Sequence, residues 1–503
     1  MQRHIRSLAS VAFSLGVFAG CSGGGGAAGP DNKPVVPTCD ARVTSIAIIG
    51  PDNIVVRKNS DFTAQPKDAA GNSIAAAVAW SSSDSNTAVV SSTGTVTGTA
   101  AGTASITVLA GCSGNATRLV TIALSALPIR GLYVQFDQRG SFSGYWSGQL
   151  LRALDSADVV AGTTVLAEAS SQLDAMRAMG VNTISYELRS TDSTEWTQGR
   201  TPPDCRLGNA LGLRWPQPSA FELQHLIRFF DLAQSKGIKV MLRLVNTHME
   251  EQPPLNSMLW LGSILGAVKN HSALELVLFE GDVHVDVLSN RCGGQAEPAL
   301  FLGPTSAPAK YVSWAISYAM SLGFDPRQLS AQAQVGFPLF DEQSPAGSSA
   351  TDGHLWNPLA VMKGILDKLG VPEASRTYAM SFYEHRKCSG DAPRNCVDMD
   401  PQAWGEQMAR GVFATIGKTS PARAVAVEMG VLPGENWTSV QAVQSLVPLM
   451  RKYGIDGGSF WKWVAFFNDE EADPTQPDPV KRRGIAILYN PVRAALAEQY
   501  GKP

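Results

Sequence analysis

The sequence predicts two folded parts in one chain: a small all-β sandwich over residues 42–126, then an α/β part, a closed (β/α)8 barrel, over 127–503. Three observations carry this. In the first part β-branched residues alternate with Ser, Thr and Gly, the pattern of short half-buried strands broken by turns. In the second part, eight short apolar runs are each followed by a segment whose apolar residues recur every three to four positions, the spacing that lines one stripe of a helix. The helical segments also stop at Gly180, Gly237, Gly323, Gly370 and Gly454, just before the next apolar run. Glycine takes the backbone conformation of a helix end at the least steric cost.

The first element of the chain is an export signal over residues 1–20. Arg3, His4 and Arg6 precede an apolar run from Leu8 to Phe18, far shorter than the roughly 20 residues a spanning helix needs. The run ends in Phe18-Ala19-Gly20-Cys21, which resembles a bacterial lipobox. That resemblance implies cleavage before Cys21 and attachment of lipid to it. Ser22, rather than Asp, follows the cysteine, which resembles the pattern of outer-membrane sorting. Residues 21–41, with "SGGGGAAGPDNKPVVPT", form a flexible tether. The expected location is therefore outside the cytoplasm, on the outer membrane or cell surface, with the membrane touched only through the N-terminal lipid.

Exported chains keep disulfides. Seven cysteines less Cys21 leave Cys39, Cys112, Cys205, Cys292, Cys388 and Cys396. Cys39 and Cys112 bracket the sandwich, Cys388 and Cys396 share one short loop, and Cys205 and Cys292 remain as a third pair. None of these spacings is a zinc pattern, and no HExxH occurs. No metal or cofactor is expected. The 503 residues are 44% hydrophobic and 17% charged, which describes a globular protein. A formal net charge of -3 spread over both signs gives no electrostatic case for nucleic acid or an anionic membrane surface.

Within the sandwich, Trp80-Ser81-Ser82-Ser83-Asp84, Ala88-Val89-Val90, Gly94-Thr95-Val96 and Ala101-Gly102-Thr103-Ala104-Ser105-Ile106 closely resemble the bacterial Ig-like group 2 domain. The resemblance implies a spacer or adhesive module. No titratable cluster for chemistry stands in this part.

The barrel units follow in order. "GLYVQFD" precedes a helix near Val165 to Met179, "VNTISYEL" precedes "SAFELQHLIRFFDLAQSKG", and "IKVMLRLVN" precedes "NSMLWLGSILGAVKN". "LELVLFEGD" precedes "AKYVSWAISYAMSLG", "LSAQAQVGF" precedes "NPLAVMKGILDKLG", and "TYAMSFYEH" precedes "AWGEQMARGVFATIG". "ARAVAVEMG" precedes "SVQAVQSLVPLMRKYG", and "GGSFWKWV" precedes "PVRAALAEQYG". Eight such units fit a TIM barrel with long loops. A doubly wound open sheet would carry a glycine-rich turn after its first strand, and "GLYVQFDQRGSFSG" has no GxGxxG.

In this fold the active site forms where strands end. The ends offer Gln135 and Asp137; Tyr186, Glu187 and Arg189; Arg243, Asn246 and His248; Glu280, Asp282 and His284; Gln334; Tyr383, Glu384 and His385; Glu428; and Trp461 and Trp463. Side chains alternate across a strand. Leu274, Leu276 and Leu278 share the face of Glu280, and Ala424 and Ala426 share the face of Glu428. If those faces line the barrel, both carboxylates project over its mouth. Such a pair suits glycosidic cleavage: one group is protonated and donates to the leaving oxygen, the other is ionised and attacks the anomeric carbon or activates water. Trp461, Trp463 and Tyr383 offer flat apolar platforms for sugar faces, and Asn246 and His248 offer hydrogen bonds to hydroxyls.

A carboxylate on the fourth strand, Val427-Glu428-Met429-Gly430 on the seventh and Phe460-Trp461-Lys462-Trp463 on the eighth resemble the clan A retaining glycoside hydrolases, especially the cellulase-like family 5. The resemblance implies a carbohydrate substrate, Glu280 as acid/base and Glu428 as nucleophile. Tyr383 would hold the nucleophile, and Trp461 or Trp463 would floor the subsite. The chain departs from that family in two places. Phe279 stands where the family has Asn, and Ser185 where its second strand ends in Arg. Asn246 or Gln334 would then bind the sugar 2-hydroxyl. The alternative is a non-catalytic glycan-binding or adhesion lipoprotein. A barrel hydrolase of another bond has no serine nucleophile elbow to support it.

Overall fold

The computed structural model of the chain describes residues 40–110, 114–134, 154–155, 157–158, 163–189, 218–245, 254–279, 307–335, 358–382, 386–389, 395–398, 400–430, 439–460 and 490–501. The first part is a sandwich. One sheet has the strand order Asn53–Val55, Gly114–Ala123, Gly102–Ala110 and Val78–Ser82; a three-stranded sheet holds Asn59–Asp61, Thr95–Gly98 and Ala88–Val90; and Ser45–Ile49 pairs with Thr63–Lys67. Alternation drives it. Along Gly102–Ala110 the residues Ala104, Ile106 and Val108 are buried and meet Trp80, Val96, Val120 and Phe62 in one core.

The second part is a closed barrel of eight parallel strands: β1 (Ile129–Tyr133), β2 (Thr183–Arg189), β3 (Lys239–Val245), β4 (Leu274–Phe279), β5 (Leu329–Val335), β6 (Thr377–Phe382), β7 (Arg423–Met429) and β8 (Gly457–Phe460). The helices are α1 (Val165–Ala178), α2 (Ala220–Ser235), α3 (Pro254–Val268), α4 (Ala307–Ser321), α5 (Pro358–Lys368), α6 (Pro401–Ile416), α7 (Ser439–Tyr453) and α8 (Asn490–Tyr500). Each strand is followed by its helix, in the order the apolar runs predicted. Helix starts are set by side chains. Ser219 accepts from the Glu222 backbone N–H at 3.2 Å while Glu222 accepts from the Ser219 N–H at 2.7 Å, a reciprocal cap on α2. The five helix-stopping glycines adopt φ between +67° and +90°, a region that side chains with a Cβ disfavour.

Two apolar layers result. Val240, Leu242, Leu244, Val277, Phe279, Ala331, Ala333, Tyr378 and Met380 face outward and pack under the helices. Ile129, Met241, Leu276, Leu278, Ala379, Val425 and Val427 fill the lumen as a separate cluster. Below that plug, Arg423 of β7 donates to Glu275 of β4 at 2.6 Å, an ion pair that bridges the base of the ring.

The sandwich docks on that base. Arg57 reaches the carbonyls of Ser420 and, at 2.6 Å, Ala422 in the loop before β7, and lies over the Phe413 ring at 4.7 Å. Burial lowers the Arg57 guanidinium below its ordinary value, opposed by Asp456 and Glu373. The Ala101 N–H donates to the Lys452 carbonyl at 2.7 Å, and Ser125 donates through both N–H and hydroxyl to the Arg451 carbonyl at 3.1 Å. The loop before β7 and the last turn of α7 both lead into the next strand, so they belong to the barrel face opposite the strand C-termini.

Candidate active site

Above the apolar plug the lumen turns polar. Strand alternation brings Tyr133 from β1, Glu187 from β2, Arg243 from β3 and Gln332 from β5 into one buried network, which Glu428 joins from β7. Arg243 is 1% exposed, Glu428 2%, and Glu187 and Gln332 3%, so these charges interact in a medium far less screening than water.

Arg243 is the hub. Its Nη2 lies 3.0 Å from Glu428 Oε2 and donates to Gln332 Oε1 at 2.7 Å. Gln332 Nε2 in turn donates to Glu428 Oε2 at 2.7 Å. These three contacts close a triangle that fixes the carboxylate and favours its ionised form, because both contacts on Oε2 come from donors. On the other side, Arg243 Nη1 stands 3.6 Å from Glu187 Oε2, which also accepts from the Tyr133 hydroxyl at 2.8 Å. The guanidinium carbon lies 5.0 Å from the centre of the Tyr133 ring, within reach of the ring's negative face.

How Glu428 enters the lumen differs from expectation. Ala424 and Ala426 were expected to share its face. Instead they pack outward under the helices, and Val425 and Val427 point inward. The β7 register slips against both neighbours: Met380 pairs with Ala426 but Ser381 with Glu428, and Ala426 pairs with Gly458 but Met429 with Phe460. The extra residue is Val427. A bulge of this kind reverses the alternation and re-aims the next side chain, so Glu428 joins the lumen although strict parity from Val427 would turn it outward.

On β4 the inward alternation of Leu276 and Leu278 holds, while Leu274 packs in the outer layer. Phe279 is in the outer layer too, fully buried under the helices, which accounts for an apolar residue at that point. Ser185 is fully buried on β2 at the parity of Glu187. A guanidinium reaches the lumen from β3 instead, that of Arg243.

Glu280, Asn246, His248, Tyr383, Trp461 and Trp463 lie outside the described residues, as do Cys21, Cys39, Cys112, Cys205 and Cys292. Cys388 and Cys396 fall on a short antiparallel hairpin, Arg386–Ser389 with Asn395–Asp398, whose register sets them directly opposite each other. Among the described residues no group of three or more His, Cys, Asp or Glu side chains is placed to hold a metal ion.

Sequence reasoning gave no role to Tyr133, Glu187 or Gln332. The signal was present one layer below the strand ends: Glu187 follows Ser185 at period two, and Gln332 follows Ser330. Polar residues at lumen parity inside apolar strands are the mark of such a layer.

Residues 42–120 match the family model of the bacterial Ig-like domain (group 2). No curated protein matches the chain. Among solved structures it is similar to an exo-beta-1,4-mannosidase from Opitutaceae bacterium strain TAV5, with 12% identity, 75% of this chain and 60% of that one covered, and a TM-score of 0.42. It is similar also to an endo-beta-1,4-mannanase from Thermotoga petrophila, with 12% identity, coverage of 74% and 75%, and a TM-score of 0.39. A third is a beta-mannanase from the blue mussel Mytilus edulis, with 11% identity, coverage of 73% and 95%, and a TM-score of 0.38. The chain thus spans 60% of the length of the first of these.

Proposed function

We propose that this chain is an exported, lipid-anchored glycoside hydrolase that cleaves O-glycosidic bonds of a poly- or oligosaccharide with two carboxylates. The observation that supports it is Glu428: a buried carboxylate at the C-terminal end of β7, held by Arg243 at 3.0 Å and Gln332 at 2.7 Å. A nucleophile for an anomeric carbon must be ionised and fixed, and these donors favour both.

Glu428 attacks the anomeric carbon, and a covalent glycosyl-enzyme forms as the bond to the leaving oxygen breaks. Glu280, one residue beyond β4 and in step with inward Leu276 and Leu278, gives its proton to that oxygen. As carboxylate it then takes a proton from the water that releases the sugar. Retention requires carboxyl groups roughly 5–5.5 Å apart, and inversion roughly 6.5–9.5 Å. The sandwich sits on the opposite face of the barrel, so the mouth opens away from it. A lipid at Cys21 and a tether to residue 41 would present that mouth outward from the cell surface.

The test is digestion of a broad polysaccharide and aryl-glycoside panel, with product analysis by mass spectrometry. Released sugar is expected, and E428Q should lower kcat at least about a thousandfold while it still folds and unfolds cooperatively. Full residual turnover in E428Q removes Glu428 from the mechanism. Tight oligosaccharide binding without any product on the whole panel would establish the glycan-binding alternative instead.

A further inference from the structure

The geometry points to Glu187 as a positioning residue for Glu428, acting through Arg243. This rests on the hydrolase reading, in which Glu428 is the nucleophile, and extends it to a residue that the two-carboxylate reaction does not itself require.

A second carboxylate buried beside Glu428 is costly unless it is paired. Glu187 is paired: the Tyr133 hydroxyl donates to its Oε2 at 2.8 Å, and Arg243 Nη1 stands 3.6 Å from the same oxygen. The other amino group of that guanidinium lies 3.0 Å from Glu428. One cation therefore has a carboxylate at each of its two amino nitrogens. Two consequences follow. Glu187, Gln332 and the Tyr133 ring fix the plane of a long, otherwise flexible side chain, so that Nη2 meets Glu428 without a search among rotamers. Glu187 also opposes the pull of Arg243 on Glu428. The carboxylate stays ionised at neutral pH, yet it is less stabilised than it would be by an unshared guanidinium, and so it is more basic and a better nucleophile.

Among the described residues, Glu428 meets Arg243 from β3 and Gln332 from β5, with Glu187 from β2 and Tyr133 from β1 behind Arg243. Ser381 of β6 is its register partner, and Glu280 follows the end of β4. Of these, Glu187 is the one whose charge can be removed with little change of shape and without touching Glu428.

The test titrates the full chain carrying 13C at the glutamate carboxyl carbons. Glu428 is assigned by the resonance lost in E428Q. E187Q should lower the Glu428 midpoint by about one pH unit or more, since a nearby negative charge is gone and the pull of Arg243 on Glu428 is no longer opposed by it. E187D, which keeps the charge, should stay near the wild-type midpoint. On any substrate that the wild type turns over, the acid limb of kcat/KM should move to lower pH by the same amount in E187Q, and kcat should fall roughly tenfold while KM holds. An unmoved Glu428 midpoint in E187Q overturns the proposal, even if its unfolding temperature drops, because that is the mark of a purely structural pair. If E187Q does not fold, Y133F replaces it. Removing the phenol donor makes Glu187 easier to protonate, so the Glu428 midpoint should move the same way by a smaller step, and no movement overturns the proposal. Absence of turnover on every glycan would remove the hydrolase reading and leave the titration readable, so the two failures are told apart.

Discussion

An arginine stands at each end of the barrel, half-buried at the base and buried in the lumen, and the two are held by different chemistry. At the base, Arg57 comes from the sandwich and meets neutral acceptors, the carbonyls of Ser420 and Ala422, with the Phe413 ring beneath it. In the lumen below the mouth, Arg243 meets two carboxylates, an amide and the Tyr133 ring. Carbonyl dipoles hold a guanidinium without titrating, so the Arg57 contact is a fixed joint between two domains. Carboxylates hold it more strongly but in a balance of charges, which any change in protonation alters. The same side chain thus joins two domains in one place and holds two buried carboxylates in the other.

Removing Arg243 should break the comparison most visibly. R243M keeps a long apolar stem and leaves Glu187 and Glu428 without their shared cation. Stripping one partner from a buried ion cluster costs about 3–5 kcal/mol, read as a shift in the urea midpoint at constant m-value. The triple variant R243M/E187Q/E428Q removes the two carboxylates together with their shared cation and should regain most of that loss. If R243M loses less than about 1 kcal/mol, the network carries little stability and the contrast with Arg57 fails on energetic grounds.

Arg57 should come next. It is the one residue other than glycine with positive φ among the described residues, at +62°. That conformation costs roughly 1–2 kcal/mol for a residue with a Cβ and persists because the interface over-determines it. R57A keeps the strained backbone and loses the hydrogen bonds to Ser420 and Ala422. The expected cost is about 1.5–3 kcal/mol, with catalytic parameters per folded molecule unchanged. R57G loses the same bonds but relieves the strain, so it should be more stable than R57A by about 1 kcal/mol. Calorimetry adds a second readout: a single transition in the wild type should split into separate sandwich and barrel transitions in R57A.

What was legible in the sequence follows the same division. Local features were readable. The order of strands and helices came from period, and the helix ends from Gly180, Gly237, Gly323, Gly370 and Gly454, all of which take positive φ. The position of Glu428 at a strand end was readable too, but the alternation used to aim it was not the one the chain adopts. A bulge is decided by pairing with β6 and β8, and the single strand "ARAVAVEM" carries no trace of it. Contacts across long separations were invisible for the same reason. Arg57 meets Ser420 363 positions away, and Gln332 meets Glu428 96 positions away. Nothing in "IVVRKN" says that its arginine lies under a barrel. Arg243 was readable as a strand-end arginine, but its partners on β2, β5 and β7 are neighbours only once the ring is closed.

The smallest expected effect concerns the ion pair at the base of the lumen. Arg423 donates to Glu275 at 2.6 Å, with the arginine side chain 13% and the glutamate 25% exposed. This pair bridges β4 and β7, as the network above bridges β3 and β7, but it is open to solvent on one side. Water screens it and leaves each partner solvated when the other is lost. E275Q should therefore cost about 0.5–1 kcal/mol, several-fold less than R243M, and 1 M salt should lower the E275Q cost further because the solvent-facing side of a half-buried pair is screened over roughly 3 Å at that ionic strength. The R243M loss should change little with salt, since its partners are 2–3% exposed. Measuring both variants at low and high salt compares the two ends of the lumen directly. Equal salt dependence would mean that the upper network is wetter than its burial implies.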